Sequence, residues 1–440
     1  MSARHARWLL GELDALVEQG LLTAEAAERL RRHYAARAEA GGLRLRQVFL
    51  AVLGTLLIGG GVILLLAHNW SELSRATRTV LSFLPLVAAQ GVAGWVLASG
   101  RRAPAWREGA ALALSLAVAA AIALIGQTYH IPGSLQGFLL TWMLLSLPLI
   151  YLFDSTAVAV LYLAVIAWWA ALTPWRHEPP AGYLLLLAAV LPWLWPHLGK
   201  RRADGRALLL GWTLALSVAV AFDPLLARQE RGVWIPAFAL LFAYFALEGK
   251  ALYGPGRPWR KAPLYAAGSL GVVGHAFVLS YRDCWRDLAD PKVSDPTPGV
   301  IAVWVALAAL AGRTLVLWWR AVLRRDVTSG LLGAFAPLAL AAYALALAAA
   351  PPRLILALLC SAYLLALGLG LMGSGLRSGD GARANAGLGI VALLIVLRFF
   401  DSDLSLVARG IAFLVVGVGF LVANYRLSRL AAGGGATEVS

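Results

Sequence analysis

Residues 135–174 read LQGFLLTWMLLSLPLIYLFDSTAVAVLYLAVIAWWAALTP, two long apolar runs separated by a single charged side chain, Asp154. An α-helix rises 1.5 Å per residue, so crossing a hydrocarbon layer about 30 Å thick takes roughly 20 residues. Each run has about that length. Neither alternates in polarity as a barrel strand would, and within lipid only helices and closed barrels satisfy their own backbone groups. The stretch therefore reads as two membrane-spanning helices joined by a tight turn at Asp154.

The same pattern recurs outward in both directions, from residue 47 to residue 424. It predicts spans at 47–67, 79–99, 108–126, 135–153, 156–174, 181–198, 206–222, 233–250, 262–281, 298–319, 329–350, 352–373, 385–400 and 405–425. Hydrophobic residues make up 60% of the 440 and charged ones 14%, against roughly 25% charged in a soluble domain. The expected fold is all-α, a polytopic integral membrane helix bundle of about 14 transmembrane helices, with the lipid bilayer as its main partner. The pairs 135–153 with 156–174 and 329–350 with 352–373 are joined by almost no chain. One long kinked helix in place of either pair would invert everything beyond it.

The net charge of +15 would suggest nucleic acid in a soluble protein, but its placement gives a different meaning. With the N-terminus in the cytoplasm, segments on the inner side carry 26 Lys or Arg and outer loops carry 9. That is the bias that orients membrane helices, and it excludes nucleic-acid binding as the purpose of the charge. The remaining three, Arg313, Arg398 and Arg409, fall within helices or at their ends. Both termini are expected in the cytoplasm. The dominance of Arg over Lys, with abundant Ala and Leu, fits a GC-rich bacterial genome and hence a bacterial plasma (inner) membrane.

Ahead of the first span, residues 1–46 form a short module. Leu9, Leu13, Leu16 and Val17 share one helical face, Gly20 ends that helix, Thr23 offers an N-cap with Glu25 in the first turn, and Leu30 with Tyr34 continues an apolar face. This predicts a cytoplasmic helical hairpin, whose apolar faces pack on each other, on the membrane surface or on an unknown protein partner. A signal peptide is excluded by the missing short apolar core and cleavage site. Domain boundaries are expected at 1–46 (hairpin), 47–425 (bundle, with modules at 47–153 and 156–425) and 426–440 (a disordered cytoplasmic tail).

The front of the chain carries familiar residues: the hairpin, a Gly-rich first span ending in His68, Asn69 and Trp70, and the run GQTYHIPG from Gly126 to Gly133. They resemble the bacterial membrane proteins grouped as domain of unknown function 2157. The ending LRFFDSDLSLVARGIAFLVVGVGFLVANYRLSR, residues 397–429, is similar to domain of unknown function 4401. Both resemblances imply a multi-spanning membrane protein and supply no substrate, cofactor or catalytic residue.

On the helix map these motifs share one side. His68, Asn69 and Trp70 end the first span, Gln127, Tyr129 and His130 the third, and Asp401 with Asp403 the thirteenth, all outward. They are expected to form a polar vestibule at the outer face, with Arg398 on the helical face of Asp401. The bland reading makes Trp70 and Tyr129 interfacial aromatics and Arg398 a snorkelling side chain paired with Asp401. Deeper polar groups are few: Glu248, Arg313 and Arg409, with Gln90, His275, Asn385 and Asn424. Snorkelling ends explain most of them, and no span carries the series of carboxylates that proton coupling needs.

Catalytic, cofactor and metal motifs are missing: there is no phosphate loop, no HExxH, no GxSxG and no CxxC. No catalytic residue, cofactor or metal is expected. Gly59 to Gly61 and Gly368, Gly370 and Gly373 lie inside apolar spans, where close helix packing explains them. Cys284 and Cys360 read as isolated packing cysteines, with a disulfide left open. Pro85, Pro148, Pro192 and Pro236 fall in alternate spans, a pattern that can mark transporter sites. Three functions remain: a transporter or flippase-like permease, a non-enzymatic scaffold or sensor that uses the hairpin, and an outer-face enzyme with His68, His130 and Asp401 as acid/base groups.

Overall fold

The computed structural model describes residues 3–33, 72–100, 104–172, 180–198, 205–226, 232–254, 261–286, 288, 297–349, 351–399, 407, 410, 411, 414, 417 and 418. Over these residues the chain is all helix and turn, with no strand. The protein is an all-α polytopic membrane protein. It divides into two compact units, Met1–Phe83 and Leu84–Ser440.

The first unit opens with the hairpin. α1 (Ala3–Glu18) and α2 (24–33) are separated by Gly20, which takes a positive φ of 69° that a side chain would resist. Thr23 caps α2 by accepting from the backbone N–H of Ala26 at 3.3 Å. Arg31 of α2 reaches Asp14 of α1 at 2.6 Å, and Leu13 and Ala27 are buried. The apolar faces are thus turned inward, which is why so short a module holds as a pair.

Beyond it run α3 (Arg75–Ala98), α4 (Pro104–Tyr129), α5 (Leu135–Phe153), α6 (Thr156–Ala171), α7 (Gly182–Leu198), α8 (Gly205–Leu226), α9 (Trp234–Tyr253), α10 (Pro263–Leu279), α11 (Pro298–Leu323), α12 (Val327–Ala349), α13 (Arg353–Ser378) and α14 (Gly381–Phe399). A 3-10 turn, Arg282–Trp285, follows α10. Among the described residues nine helices are long and apolar enough to cross a membrane, and α6, α7 and α10 are shorter apolar helices of 16 or 17 residues. The short α6 and α10 lie deep, as do the longer α8 and α9: α6 buries Val158, Ala159, Tyr162, Leu163, Ile166 and Ala170. Other long ones expose large apolar side chains, such as Trp304, Val305, Leu315 and Trp319 on α11. A surface of that kind suits lipid and would aggregate in water. The expected spans 47–67 and 405–425 lie largely or wholly outside the described residues.

Both uncertain joints are real breaks. α5 stops at Asp154, which takes a left-handed conformation (φ 52°, ψ 44°), and α6 restarts behind Ser155. α12 and α13 are separated at Pro351 and Pro352, where proline cannot continue the helix before it. The internal prolines behave differently. Of the series, Pro85, Pro148 and Pro192 lie inside continuous helices, as do Pro196, Pro224 and Pro337, and Pro236 lies in the first turn of α9, so the series does not mark broken spans. Neighbouring helices can absorb the single hydrogen bond that each proline removes.

Packing sorts the helices into two groups, α4 to α8 and α9 to α14, which meet where α8 lies on α9 and α10. In the first group polar links cross between helices: Ser115 with Ser146 at 2.8 Å, Trp142 Nε1–H to the Ser115 carbonyl at 2.8 Å, Tyr162 to the Leu186 carbonyl at 3.0 Å and Ser217 to the Leu163 carbonyl at 2.7 Å. Such bonds contribute about 0.6 kcal/mol each within a bundle. The second group packs through glycine. A Cβ on Gly268 would stand 2.1 Å from the Ala246 nitrogen, and one on Gly387 would stand 2.4 Å from the Gly368 carbonyl oxygen. Backbones of α9 with α10 and of α13 with α14 therefore touch. Of the glycines expected to pack closely, Gly368 and Gly370 do, Gly373 faces open space, and Gly59 to Gly61 lie outside the described residues.

Candidate functional site

Two features stand apart from plain helix packing: a polar hub at the α5–α6 turn and an apolar crevice at the opposite end of the same helices. The hub begins with adjacent residues of opposite sign on α4. Arg107 donates to the Leu152 carbonyl at 3.0 Å, at the C-terminus of α5. Glu108 accepts from the Ser155 hydroxyl at 2.6 Å and from the backbone N–H groups of Thr156 and Ala157 at 2.8 and 2.9 Å, at the N-terminus of α6. Ser155 caps Val158 at 3.3 Å. A cation thus meets orphan carbonyls and an anion meets orphan amides, as helix ends and their dipoles require.

Asp154 occupies the turn itself. Arg206, from the start of α8, donates to both of its carboxylate oxygens at 3.0 and 3.1 Å and to its carbonyl at 2.8 Å. Trp193 Nε1–H donates to it at 3.0 Å, and His197 Nε2 lies 3.2 Å away. Trp193 and His197 stack at 4.5 Å, and Arg206 lies 5.4 Å from the Trp193 ring. Burial alone would raise the Asp154 carboxyl, but the hydrogen bonds and charge of Arg206, with His197 and Trp193, outweigh it and hold the group below its ordinary value. Helices α4, α5, α6, α7 and α8 all converge here.

The same end of the second group is also charged. Lys250 pairs with Asp326 at 2.6 Å, and Asp326 accepts from Ser329 at the start of α12. Burial would raise Asp326, and Lys250 and Ser329 more than offset it. Deeper along the helices, Arg313 of α11 grips Glu248 of α9 through Nε at 2.8 Å and Nη2 at 3.0 Å. Glu248 is buried. The pair is not visible in the sequence, where each residue reads as a separate snorkelling end, because 65 residues separate them and only the packing of α11 on α9 brings them together.

At the other end, Gln127, Tyr129 and His130 terminate α4. His130 is left-handed (φ 51°), the Ile131 N–H returns to the Gly126 carbonyl at 3.0 Å, and Pro132 follows. The recognisable GQTYHIPG run is thus a helix stop. Thr128 is buried and bonds the Leu124 carbonyl at 2.7 Å, while Tyr129 and His130 are exposed. Arg398 is held elsewhere, by the Ser280 carbonyl, by Ser361 Oγ at 3.3 Å, and 5.0 Å from the centre of the Tyr281 ring. These partners belong to α10, the 3-10 turn and α13, so the structure places Arg398 and the α4 terminus in different helix groups. His68, Asn69, Trp70, Asp401 and Asp403 lie outside the described residues, as does Arg409. His275, the one buried histidine among the described residues, meets the Ile235 carbonyl at 2.9 Å within a ring of Trp234, Phe238, Phe242 and Phe335. No group of three His, Cys, Asp or Glu among the described residues is placed to hold a metal ion.

The crevice was not legible in the sequence. It has a volume of about 640 Å³ and is lined by Gln136, Gly137 and Leu140 of α5, Trp169 of α6, Pro180 to Leu185 at the start of α7 except Tyr183, and Pro298, Gly299 and Ala302 of α11. It therefore opens between the two helix groups. The groups also meet along α8: a Cβ on Gly211 would stand 2.9 Å from the Tyr253 oxygen toward the Asp154 end, and the Phe222 and Phe238 rings lie 5.0 Å apart toward the other end. The walls are hydrocarbon and aromatic, Gln136 adds an amide, and the first turns of α5, α7 and α11 face in.

No curated protein and no solved structure matches the chain. Residues 14–159 match the model of a family described as Predicted membrane protein (DUF2157), a stretch that ends four residues into α6 and so takes in Glu108, Asp154 and Ser155.

Proposed function

We propose that the protein is a non-enzymatic, flippase-like permease of a bacterial plasma membrane, and that its substrate is an amphiphile of lipid type. The observation that carries this reading is the crevice of about 640 Å³ lined by α5, α6 and α7 of one helix group and by α11 of the other. Transporter sites sit where two groups of helices can move against each other. Walls made of Trp169, Leu140, Leu184 and Leu185, with the Gln136 amide among them, suit a hydrocarbon chain with a polar head. The charged residues support the same class. Glu108, Asp154 and Glu248 are each engaged in holding helices together, which speaks against ion coupling.

In this reading the end with Asp154 faces the cytoplasm, as the bias of 26 basic residues to 9 favours, and both termini lie there. The crevice then opens outward, at the end where α4 stops at Gln127, Tyr129 and His130 and where α14 carries Arg398; the candidate polar site of that face keeps these four and, from the expected helix map alone, His68, Asn69, Trp70, Asp401 and Asp403. The likeness of residues 397–429 to domain of unknown function 4401 belongs to the same proposal. A scaffold or sensor that binds a protein through residues 1–46 is the second reading. It is supported by the folded hairpin and weakened by the burial of Leu13, the residue a partner would grip.

The test is reconstitution into phospholipid vesicles that contain a fluorescent head-labelled lipid, followed by bleaching from outside. Protein-dependent loss of the protected inner fraction is expected, and filling the crevice with Ala302→Trp is expected to abolish it. Vesicles with protein that bleach like protein-free ones, or an Ala302→Trp variant as active as wild type, would overturn the proposal.

A further inference from the structure

The chain has two cysteines in 440 residues, 76 positions apart, and the fold packs the turn that carries Cys284 against α13, the helix that carries Cys360. Cys284 sits in the 3-10 turn, partly buried, and packs against the core to which Cys360 of α13 belongs. The turn is pinned there. Trp285 is buried with its Nε1–H on the Leu279 carbonyl at 2.8 Å, and the turn packs directly on α13. Arg398 ties the same two elements, reaching the Ser280 carbonyl and the Tyr281 ring on one side and Ser361, the neighbour of Cys360, on the other.

We propose that Cys284 and Cys360 are a paired dithiol that closes to an intramolecular disulfide, fastening the turn after α10 to α13. The chemistry is thiol–disulfide exchange with a disulfide-bearing oxidant. The Cys284 thiolate attacks one sulfur of the oxidant and expels a thiolate. The Cys360 thiolate then attacks Cys284 Sγ and expels the second, so the protein loses two protons and two electrons and the oxidant becomes two thiols. Cys284 is the point of entry because it is the more accessible of the two. Its thiol is pushed up by burial and by Asp283, so little of it is ionised at neutral pH and exchange is slow. The bond is therefore a structural fastening made on assembly and not a rapid switch.

The full-length protein in membranes would be incubated with oxidised glutathione, quenched in acid and weighed intact. Loss of two hydrogens in a monomeric species, restored by reductant, is the expected result, and Cys360→Ser is expected to carry a glutathione adduct at Cys284 instead. A glutathione adduct on each cysteine of the wild type, two free thiols after oxidation, or disulfide-linked dimers would each overturn the proposal.

Discussion

Replacing Gly387 by alanine is the sharpest probe of how the second helix group holds together. A Cβ there would stand 2.4 Å from the Gly368 carbonyl oxygen and 2.5 Å from the Met372 nitrogen, whereas ordinary contact begins at 3.4 Å. Both neighbours are backbone and cannot rotate aside, so α14 must retreat from α13 by about 1 Å, and a gap of that size forfeits roughly a quarter to a half of each dispersion contact along the seam. Overpacking of this kind costs about 1–3 kcal/mol. Within a membrane there is no hydrophobic term between helices to compensate, because lipid is as apolar as leucine. Alanine is the better helix former by about 1 kcal/mol, which opposes the loss. Gly373→Ala isolates that opposing gain, since Gly373 lies inside α13 with nothing within 4 Å of its Cβ. The difference between the two variants is then the overpacking alone, about 1–3 kcal/mol, with Gly387→Ala destabilised and Gly373→Ala neutral or stabilised. Reversible unfolding in mixed micelles with rising SDS fraction measures it. Equal shifts of the same sign in both variants would refute the close approach of the two backbones.

Three further outcomes follow from the polar contacts. Arg206→Met removes the two-pronged partner of Asp154 and is expected to cost about 1–2 kcal/mol, the lower part of the range because the carboxylate is half exposed, as micellar unfolding would read. Asp154 and Asp326 are both held below their ordinary value of 3.8, so their stabilisation is complete above that pH and is lost as the pH falls through the lowered folded values. Unfolding followed from pH 7 to pH 2 should show this acid limb, and Arg206→Met should flatten its Asp154 share. Glu248→Gln strands Arg313, which is itself about half exposed, and is expected to cost about 1–3 kcal/mol, while the joint change Glu248→Met with Arg313→Met should recover most of it. A double variant no more stable than the single one would show that the ion pair itself, not its desolvation, holds α9 to α11.

The helices were legible because their cause is local: an apolar run of the right length is sufficient, and the ends agree within a few residues from α3 to α14. The break at Asp154 was visible as the one charge in 40 residues, but its stabilisation was not, since Glu108, Trp193, His197 and Arg206 come from three other helices. Partner choice is a property of packing and leaves no mark in spacing. The same holds for Glu248 with Arg313 and for the crevice, whose walls come from four helices. The proline series misled for a related reason: a proline reads as a break when seen alone, yet a neighbouring helix can shelter the carbonyl it frees. The GQTYHIPG run was recognised as a motif before its role as a helix stop could be known.

The central claim is the alternation of helices that puts Asp154, Asp326 and Asp380 at one end of the bundle and Gly133 and Pro351 at the other. It is tested most directly by single cysteines at Gly133, Pro351, Lys261 and Ser378 in a background with Cys284→Ser and Cys360→Ser, probed in intact cells with a membrane-impermeant maleimide. The account predicts labelling at 133 and 351 from outside and at 261 and 378 only after the membrane is opened. Labelling of 133 and 378 from the same side would contradict it.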